Sequence, residues 1–168
     1  VISGLGSAGV AVSSLLFSAG AEHLTFIDSN GIVNKNRSDL NKEKLGLIEK
    51  SKATPGNGEL VHAILGSDVF IGLSKPGVLT PEMIKSMNPD PIIFALANPI
   101  PEVMPDIAKL AGAYIIATGR SDFPNQINNV LAFPGIFKGA LENKLTQFTD
   151  EHFLKVAHAL SSLVDNPS

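Results

Sequence analysis

Five short, uninterrupted hydrophobic runs recur along the chain, separated by longer segments of mixed polarity. Most of their residues are β-branched or aromatic, and they occupy residues 1–3, 24–27, 69–71, 92–95 and 114–117. Runs without polar alternation are typical of strands buried on both faces, as in a parallel sheet covered by helices. The pattern therefore predicts one doubly wound, Rossmann-like α/β domain over residues 1–168, with a mainly parallel sheet between two helical layers.

Helical spacing and helix-start signals fill the segments between the runs. Apolar residues recur at helical spacing over residues 8–19, and Gly20 can end that helix. Thr80 followed by Pro81 is an N-cap with proline at the first helical position, which predicts another helix. Its buried face would consist of Met83, Ile84 and Met87. Residues 29–65 are the least regular part, and residues 51–58 are predicted to form a loop.

The C-terminal part contains further helical patterns. Residues 125–131 and 135–141 are predicted as helical pieces separated by Pro134, because proline cannot continue a helix interior. Asp122 is predicted to cap the helix that follows it. A final amphipathic helix is predicted to begin at Thr149. Its apolar face would consist of Phe153, Val156, Ala157, Leu160 and Leu163.

A glycine-rich segment joins the first predicted strand to the first predicted helix. Its Gly4, Gly6 and Gly9 have the G-x-G-x-x-G spacing. In such a loop the first glycine allows a tight turn, the second lets the backbone approach a pyrophosphate, and the third lets helix and strand pack closely. The start of the helix offers free N–H groups and a positive dipole to the anion. The segment predicts dinucleotide binding; the alternative is a glycine turn that only packs.

Asp28 follows the second predicted strand, where an acidic side chain can accept hydrogen bonds from a ribose. A carboxylate repels a 2′-phosphate, so Asp28 favours NAD over NADP. Lys35 and Arg37 come shortly afterwards and could receive that phosphate, although solvated loop charges are the preferred interpretation. We expect NAD and leave NADP open.

Polar side chains also follow the fourth and fifth predicted strands, at the edge of the sheet where ligands bind. Asn98, Asn128 and Asn129 could each hydrogen-bond a carboxamide or a carboxylate. The alternatives are a turn for Asn98 and helix caps for the other two. Arg120 could reach a carboxylate, but a local ion pair is the preferred interpretation.

Composition excludes several classes of function. The net charge is −3 and no basic block is present, which argues against nucleic-acid binding. The hydrophobic runs are shorter than the ~18 residues of a membrane-spanning helix, so no membrane partner is expected. The chain has no cysteine, which excludes disulfides and suits the cytoplasm. None of the four histidines has metal-ligand spacing, so structural or exposed roles are expected.

Several longer motifs resemble the C-terminal NAD(P)-binding domain of bacterial-type malic enzymes. They are GLGSAG, IDSNGIV, DVFIGLSKPGVLTPEMI, FALANPIPE and TGRSDFPNQINNVLAFPGIFKGAL, and the resemblance extends to about residue 163. The resemblance implies oxidative decarboxylation of malate to pyruvate and CO2, with NAD or NADP and a divalent cation, Mg²⁺ or Mn²⁺. Dimers are usual for the family, so the resemblance also implies a homodimer for the full-length enzyme.

The resemblance also assigns roles to residues of this chain. The pyrophosphate would lie on the loop formed by Gly4, Leu5, Gly6, Ser7, Ala8 and Gly9. Asp28 would bind the adenosine ribose, and Ser74 would line the cofactor site. Asn98 and Asn129 would contact both the nicotinamide end of the cofactor and the substrate.

The catalytic lysine and tyrosine and the metal-binding acids of the family lie upstream of the glycine-rich loop. No such motif occurs here, so we expect no catalytic residue and no metal ligand within the chain. Because the first hydrophobic run is short and no initiator methionine precedes it, we expect a fragment that lacks the N-terminal catalytic and metal-binding domain. The alternative is a dinucleotide-binding module without catalytic activity, used for regulation.

Overall fold

A six-stranded sheet forms the centre of the computed structural model, which describes residues 1–164. The strands are β1 (Ile2–Ser3), β2 (Phe26–Asp28), β3 (Gly31–Ile32), β4 (Val69–Gly72), β5 (Ile92–Ala95) and β6 (Ile115–Thr118). They are ordered β3-β2-β1-β4-β5-β6, and all neighbouring pairs are parallel except β2 and β3. The predicted fold class is confirmed. Strand β3, a two-residue antiparallel return after β2, was not predicted because it is too short to leave a hydrophobic pattern.

Helices cover both faces of the sheet. They are α1 (Ser7–Ser18), α2 (Lys42–Lys50), α3 (Leu60–Ile64), α4 (Pro81–Lys85), α5 (Pro105–Leu110), α6 (Phe133–Glu142) and α7 (Asp150–Ser161). One hydrophobic cluster joins Ile2 and Phe26 of the sheet to Leu47 of α2. The other joins Phe70 and Ile93 to residues of α3, α4 and α5. This burial on both faces explains why the strand sequences do not alternate.

The predicted end of α1 and the predicted start of α4 are confirmed, although α4 ends at Lys85 and the buried Met87 lies beyond it. Helix α1 is followed by Gly20 in the left-handed region at φ 95°. At α4 the Thr80 side chain accepts a hydrogen bond from the Met83 backbone N–H at 3.3 Å. Residues 51–58 form the predicted loop. Helices α2 and α3, however, lie in the segment described from sequence only as irregular, and Asn41 caps α2 by accepting from the Lys44 N–H.

The predictions between β6 and α6 are partly wrong. Of residues 125–131, only Asn129–Leu131 is helical, as a short 3₁₀ turn. The preceding residues are not helical, because Gln126 forms an isolated parallel bridge with Thr118, the Ile127 N–H donates to the Thr118 carbonyl at 2.7 Å, and Asn125 lies in the left-handed region at a φ of 56°. Asp122 caps no helix, since the residues that follow it form turns. Pro134 lies in the first turn of α6, where proline needs no N–H partner.

The two C-terminal helices bury little of their apolar surface. Helix α7 begins after Thr149 as predicted, but none of its residues is buried. Its attachment to α1 includes a hydrogen bond from the Ser18 hydroxyl to the Asp150 carboxylate at 2.6 Å. Within residues 1–164, every helix is too short or too polar to cross a membrane.

Candidate cofactor site

A cleft of about 760 Å³ opens at the carboxyl ends of β1, β2 and β4. The chain runs from β1 to β2 on one side and returns to β4 on the other, so this is the point at which the winding direction of the sheet changes. Of the predicted site residues, the cleft is lined by Gly4, Leu5, Gly6, Asp28 and Ser74. Ligands of doubly wound sheets bind in such a crevice.

The glycine-rich loop is closed to side chains at Gly4 and Gly9 and open at Gly6. Gly4 has a φ of 102°, and a side chain there would overlap the Leu73 carbonyl. A side chain at Gly9 would overlap the carbonyl of Gly4, so the helix can approach the strand only without one. At Gly6, by contrast, nothing lies within 4 Å of the position that a Cβ would occupy.

The beginning of α1 is open to an anion. Gly6 is the N-cap and offers no side-chain hydrogen bond to the first turn, and Ser7 and Ala8 are exposed. The backbone N–H groups of that turn are therefore free to bind an oxyanion, which the helix dipole also attracts. The loop and the open first turn fit the pyrophosphate of a dinucleotide.

Asp28 lies at the end of β2 within a network of charged groups. Its carboxylate pairs with the Arg37 guanidinium through two hydrogen bonds of 2.8 and 3.0 Å. It also accepts from the Lys44 ammonium at 2.6 Å and from the Asn30 backbone N–H at 2.9 Å. Burial disfavours the charged form, but the bonds from Arg37, Lys44 and Asn30 outweigh it and hold the pKa of Asp28 below its ordinary value. Asp28 is therefore ionised and has cations on two sides.

Arg37 is more tightly held than the solvated loop charge expected from sequence. It also donates to Asp39, and the hydrogen bonds to Asp39 and Asp28 raise its pKa above the ordinary value. The pKa of Asp39 is lowered, first by Arg37 and then by a hydrogen bond from Asn30. Lys35 is exposed, as expected.

Ser74 lies on the opposite side of the glycine-rich loop from Asp28. Its hydroxyl is 3.3 Å from that of Ser3, and its backbone N–H donates to the Glu102 carboxylate at 2.9 Å. Glu102 is fully buried and was considered from sequence only as one of several scattered acids. An acid enclosed in the apolar segment PIPEVMP was the signal that could have identified it, because a carboxylate among apolar residues needs partners.

The structure does not bring the two predicted substrate residues into the cleft. Asn98 follows β5, is exposed, and precedes Pro99 through a cis peptide bond. Asn129 is exposed at the start of the 3₁₀ turn, which is capped by the Asn128 side chain accepting from the Val130 N–H at 3.0 Å. The cap interpretation of Asn128 is confirmed.

Arg120 connects the segments that follow β5 and β6. It donates to the Pro99 carbonyl at 3.3 Å and forms an ion pair with Asp122 at 2.6 Å. The expected local ion pair is confirmed. Within residues 1–164, no three acidic or histidine side chains are grouped so that they could hold a metal ion.

Comparison with known proteins identifies the family. The family model described as "Malic enzyme, NAD binding domain" matches residues 1–168. The chain belongs to this family. The resemblance drawn from the motifs is thereby confirmed, as is the assignment of the chain as the NAD(P)-binding domain of a malic enzyme.

Two curated relatives are more than 40% identical to this chain. A bifunctional malic/malolactic enzyme of Bacillus subtilis is 46% identical over 165 residues, which are 98% of this chain and 40% of that protein. An NADP-dependent malic enzyme of Halomonas elongata is 44% identical over 168 residues, covering 98% of this chain and 39% of the relative.

The fold is shared with solved malic enzymes. The crystal structure of an NAD-dependent malic enzyme from Thermotoga maritima has a TM-score of 0.80 and 46% identity over 84% of this chain and 38% of that chain. The chain spans about two fifths of the length of these three relatives.

Proposed function

We propose that the cleft binds NAD(P) and that the chain acts as the cofactor half of an enzyme that oxidatively decarboxylates malate to pyruvate and CO2. The observation that carries the proposal is the Gly4–Gly9 turn, closed to side chains at its two ends and open at Gly6. Bound NAD(P) would accept a hydride from C2 of malate. This chain's residues would bind and orient the cofactor for that step.

Each predicted residue has a place in this proposal. The backbone from Gly4 to Gly9, with Leu5, Ser7 and Ala8, would hold the pyrophosphate at the start of α1. Asp28 would bind the adenosine ribose, and Ser74 would line the other half of the cleft. Asn98 and Asn129 would contact the nicotinamide end and the substrate from the segments after β5 and β6.

We propose NAD as the preferred cofactor and NADP as the second candidate. The negative charge of Asp28 disfavours a 2′-phosphate, but its four hydrogen bonds already occupy both carboxylate oxygens. A ribose hydroxyl must therefore displace one donor, and Lys44, which makes a single bond, is the easiest to displace. Arg37 and Lys44 favour NADP, because a 2′-phosphate could pair with both. Measuring the Kd of the chain for NADH and for NADPH decides between them.

The remaining elements of the proposal belong to the part of the family's polypeptide that this chain does not span. They are the base that takes the C2 hydroxyl proton, the site for Mg²⁺ or Mn²⁺, and the surface of a homodimer. Residues 1–164 present no acidic or histidine cluster for the cation, so its ligands would come from that other part. A cytoplasmic location is proposed on the absence of cysteine and is testable by cell fractionation.

Two measurements test the function. Calorimetry of the chain with NADH should show binding, while the chain with malate, NAD and Mn²⁺ should show no absorbance change at 340 nm. The same assay on the chain joined to the rest of the family's polypeptide should show malate-dependent reduction. Malate turnover by the chain alone would contradict the proposal that the catalytic base and the cation site lie outside this chain. An inactive joined protein that still binds NADH would favour the regulatory module.

A further inference from the structure

Glu102 makes an unusual connection between the loops that follow β4 and β5. Its side chain is 0% exposed, and each carboxylate oxygen accepts a hydrogen bond from a different loop. One oxygen accepts from the Ser74 backbone N–H at 2.9 Å, and the other accepts from the Ala97 backbone N–H at 3.0 Å. The two loops are thus joined through one carboxyl group.

The backbone beside Glu102 reinforces this connection. The Gly77 N–H donates to the Pro101 carbonyl at 3.3 Å, and the Leu79 N–H donates to the carbonyl of Glu102 at 3.2 Å. A side chain at Gly72 would overlap the Glu102 carboxyl, so the last residue of β4 leaves room for it. The segment that contains Glu102 therefore holds the loop after β4 at three points.

The donors require a carboxylate. The two backbone N–H groups meet different oxygens of the carboxyl group, so both positions must be acceptors, which a carboxylate offers and an amide does not. No lysine or arginine of the described residues forms an ion pair with Glu102, so hydrogen bonds alone offset its burial. A buried carboxylate whose hydrogen bonds are all made in this way fixes the geometry of the segments that it joins.

We propose that Glu102 is a positioning residue that sets the spacing of the two loops around the nicotinamide half of the cofactor. Ser74 lines the cleft, and Ala97 directly precedes Asn98. Both lie across the glycine-rich loop from Asp28, so Glu102 does not touch the adenosine half. The inference rests on the proposed binding of NAD(P) and adds a residue that acts through others.

The test is Glu102→Gln, with NADH and ADP as ligands measured by calorimetry. Glutamine presents an N–H₂ group to one of the two backbone donors, so one loop must move. The Kd for NADH should rise at least about tenfold. This is the change expected when one hydrogen bond to a charged group is lost. ADP contains only the adenosine and diphosphate half, and its affinity should change by less than about twofold.

Ser51→Ala is the matched control, because Ser51 also joins two backbone segments outside the cleft. Its hydroxyl donates to the Leu24 carbonyl at 2.7 Å and accepts from the Leu24 N–H at 3.1 Å. It should lower the melting temperature and leave the affinities for NADH and ADP unchanged. If a variant only loosened the whole fold, its affinities for NADH and for ADP would both fall.

Each outcome decides the proposal. Equal loss of NADH and ADP binding in Glu102→Gln, or no loss of either, overturns it. If the wild-type chain binds neither ligand, the proposed function fails and the inference fails with it. If Glu102→Gln does not fold, amide exchange of the wild-type chain decides: NADH should slow exchange at Ser74 and Ala97 more than ADP does, and equal effects overturn the proposal.

Discussion

Residues 1–118, which contain the sheet, and residues 119–164, which contain the C-terminal helices, have similar proportions of apolar residues but bury them to different degrees. Among residues 1–164, every buried hydrophobic residue lies between Ile2 and Ala117, and all of them except Ala117 belong to the two clusters that cover the faces of the sheet. From residue 119 to residue 164 no residue is buried. That second region nevertheless carries an aromatic row of four phenylalanines, each with its ring centroid 4.5–6.3 Å from the next. The row consists of Phe133, Phe137, Phe148 and Phe153.

The difference shows what an amphipathic pattern can and cannot predict. Spacing at i, i+3 and i+4 predicts that a helix has an apolar face, but it does not say what covers that face. The predicted site residues also fall into these two regions. The glycine-rich loop and Asp28 are supported by a packed sheet, whereas Asn129 lies in the region with an exposed apolar surface.

The largest expected effect is on stability, and it compares the two regions directly. Phe70 is 0% exposed in the sheet, and Phe70→Ala should lower the free energy of unfolding by about 3–5 kcal/mol. Phe137 is 47% exposed, and Phe137→Ala should cost less than about 1 kcal/mol. Urea denaturation of both variants measures the two values. Equal losses would mean that the aromatic row is covered in solution.

The second prediction concerns the site residue of the exposed region. Asn129→Asp places a negative charge beside a substrate with two carboxylates, a repulsion of about 4 kcal/mol at ~4 Å and an effective dielectric near 20. In an enzyme that contains this chain and the rest of the family's polypeptide, the KM for malate should rise by about a hundredfold or more. The affinity for NAD alone should change little. Steady-state kinetics and calorimetry measure the two quantities.

Asn128→Asp is the control for that prediction. Asn128 caps the 3₁₀ turn, and aspartate is an equally good cap, so malate kinetics should stay near normal. If Asn128→Asp is impaired and Asn129→Asp is not, the two roles are exchanged. If both variants are near normal, this segment does not face the substrate.

The third prediction concerns the packed region. Asp28→Ser removes the ribose acceptor and leaves Arg37 and Lys44 without their shared carboxylate. NAD should bind about tenfold more weakly, since a hydrogen bond to a charged group contributes about 1.5–3 kcal/mol. NADP should gain relative to NAD, because a 2′-phosphate then meets two cations. An unchanged ratio of the two Kd values would show that Asp28 does not contact the ribose.

The smallest effect is a pH dependence of stability from the same carboxylate. Because its pKa is lowered in the folded chain, Asp28 stabilises the fold fully above about pH 4 and loses this contribution as the pH falls further. Urea denaturation should show that Asp28→Asn is less stable than wild type by about 1 kcal/mol at pH 7. That difference should narrow at pH 3. A constant difference would mean that the ion pairs do not contribute.

The sequence predicted those features that depend on local chemistry. Five of the six strands, the start of α4 at Thr80 and the glycine-rich turn follow from residues that are neighbours in the chain. The ion pairs of Asp28 could not be predicted, because Lys44 reaches it from a helix 16 residues away. The apolar segment around Glu102 was a local signal of a buried acid, but its partners could not be predicted, since Ser74 and Ala97 lie on two separate loops. Asp122 was misassigned because the residues that follow it form turns and no helix begins there.

The claim that the glycine-rich loop of the packed region binds the pyrophosphate is tested most directly at Gly6. Gly6→Ala places a methyl group where nothing lies within 4 Å, so the chain should fold with an unchanged melting temperature. The methyl would occupy the space of the pyrophosphate, and NADH should bind at least about tenfold more weakly. Gly135→Ala, a similarly unobstructed change in the C-terminal region, should bind NADH like the wild type. Wild-type affinity for NADH in Gly6→Ala, measured by calorimetry, would contradict the account.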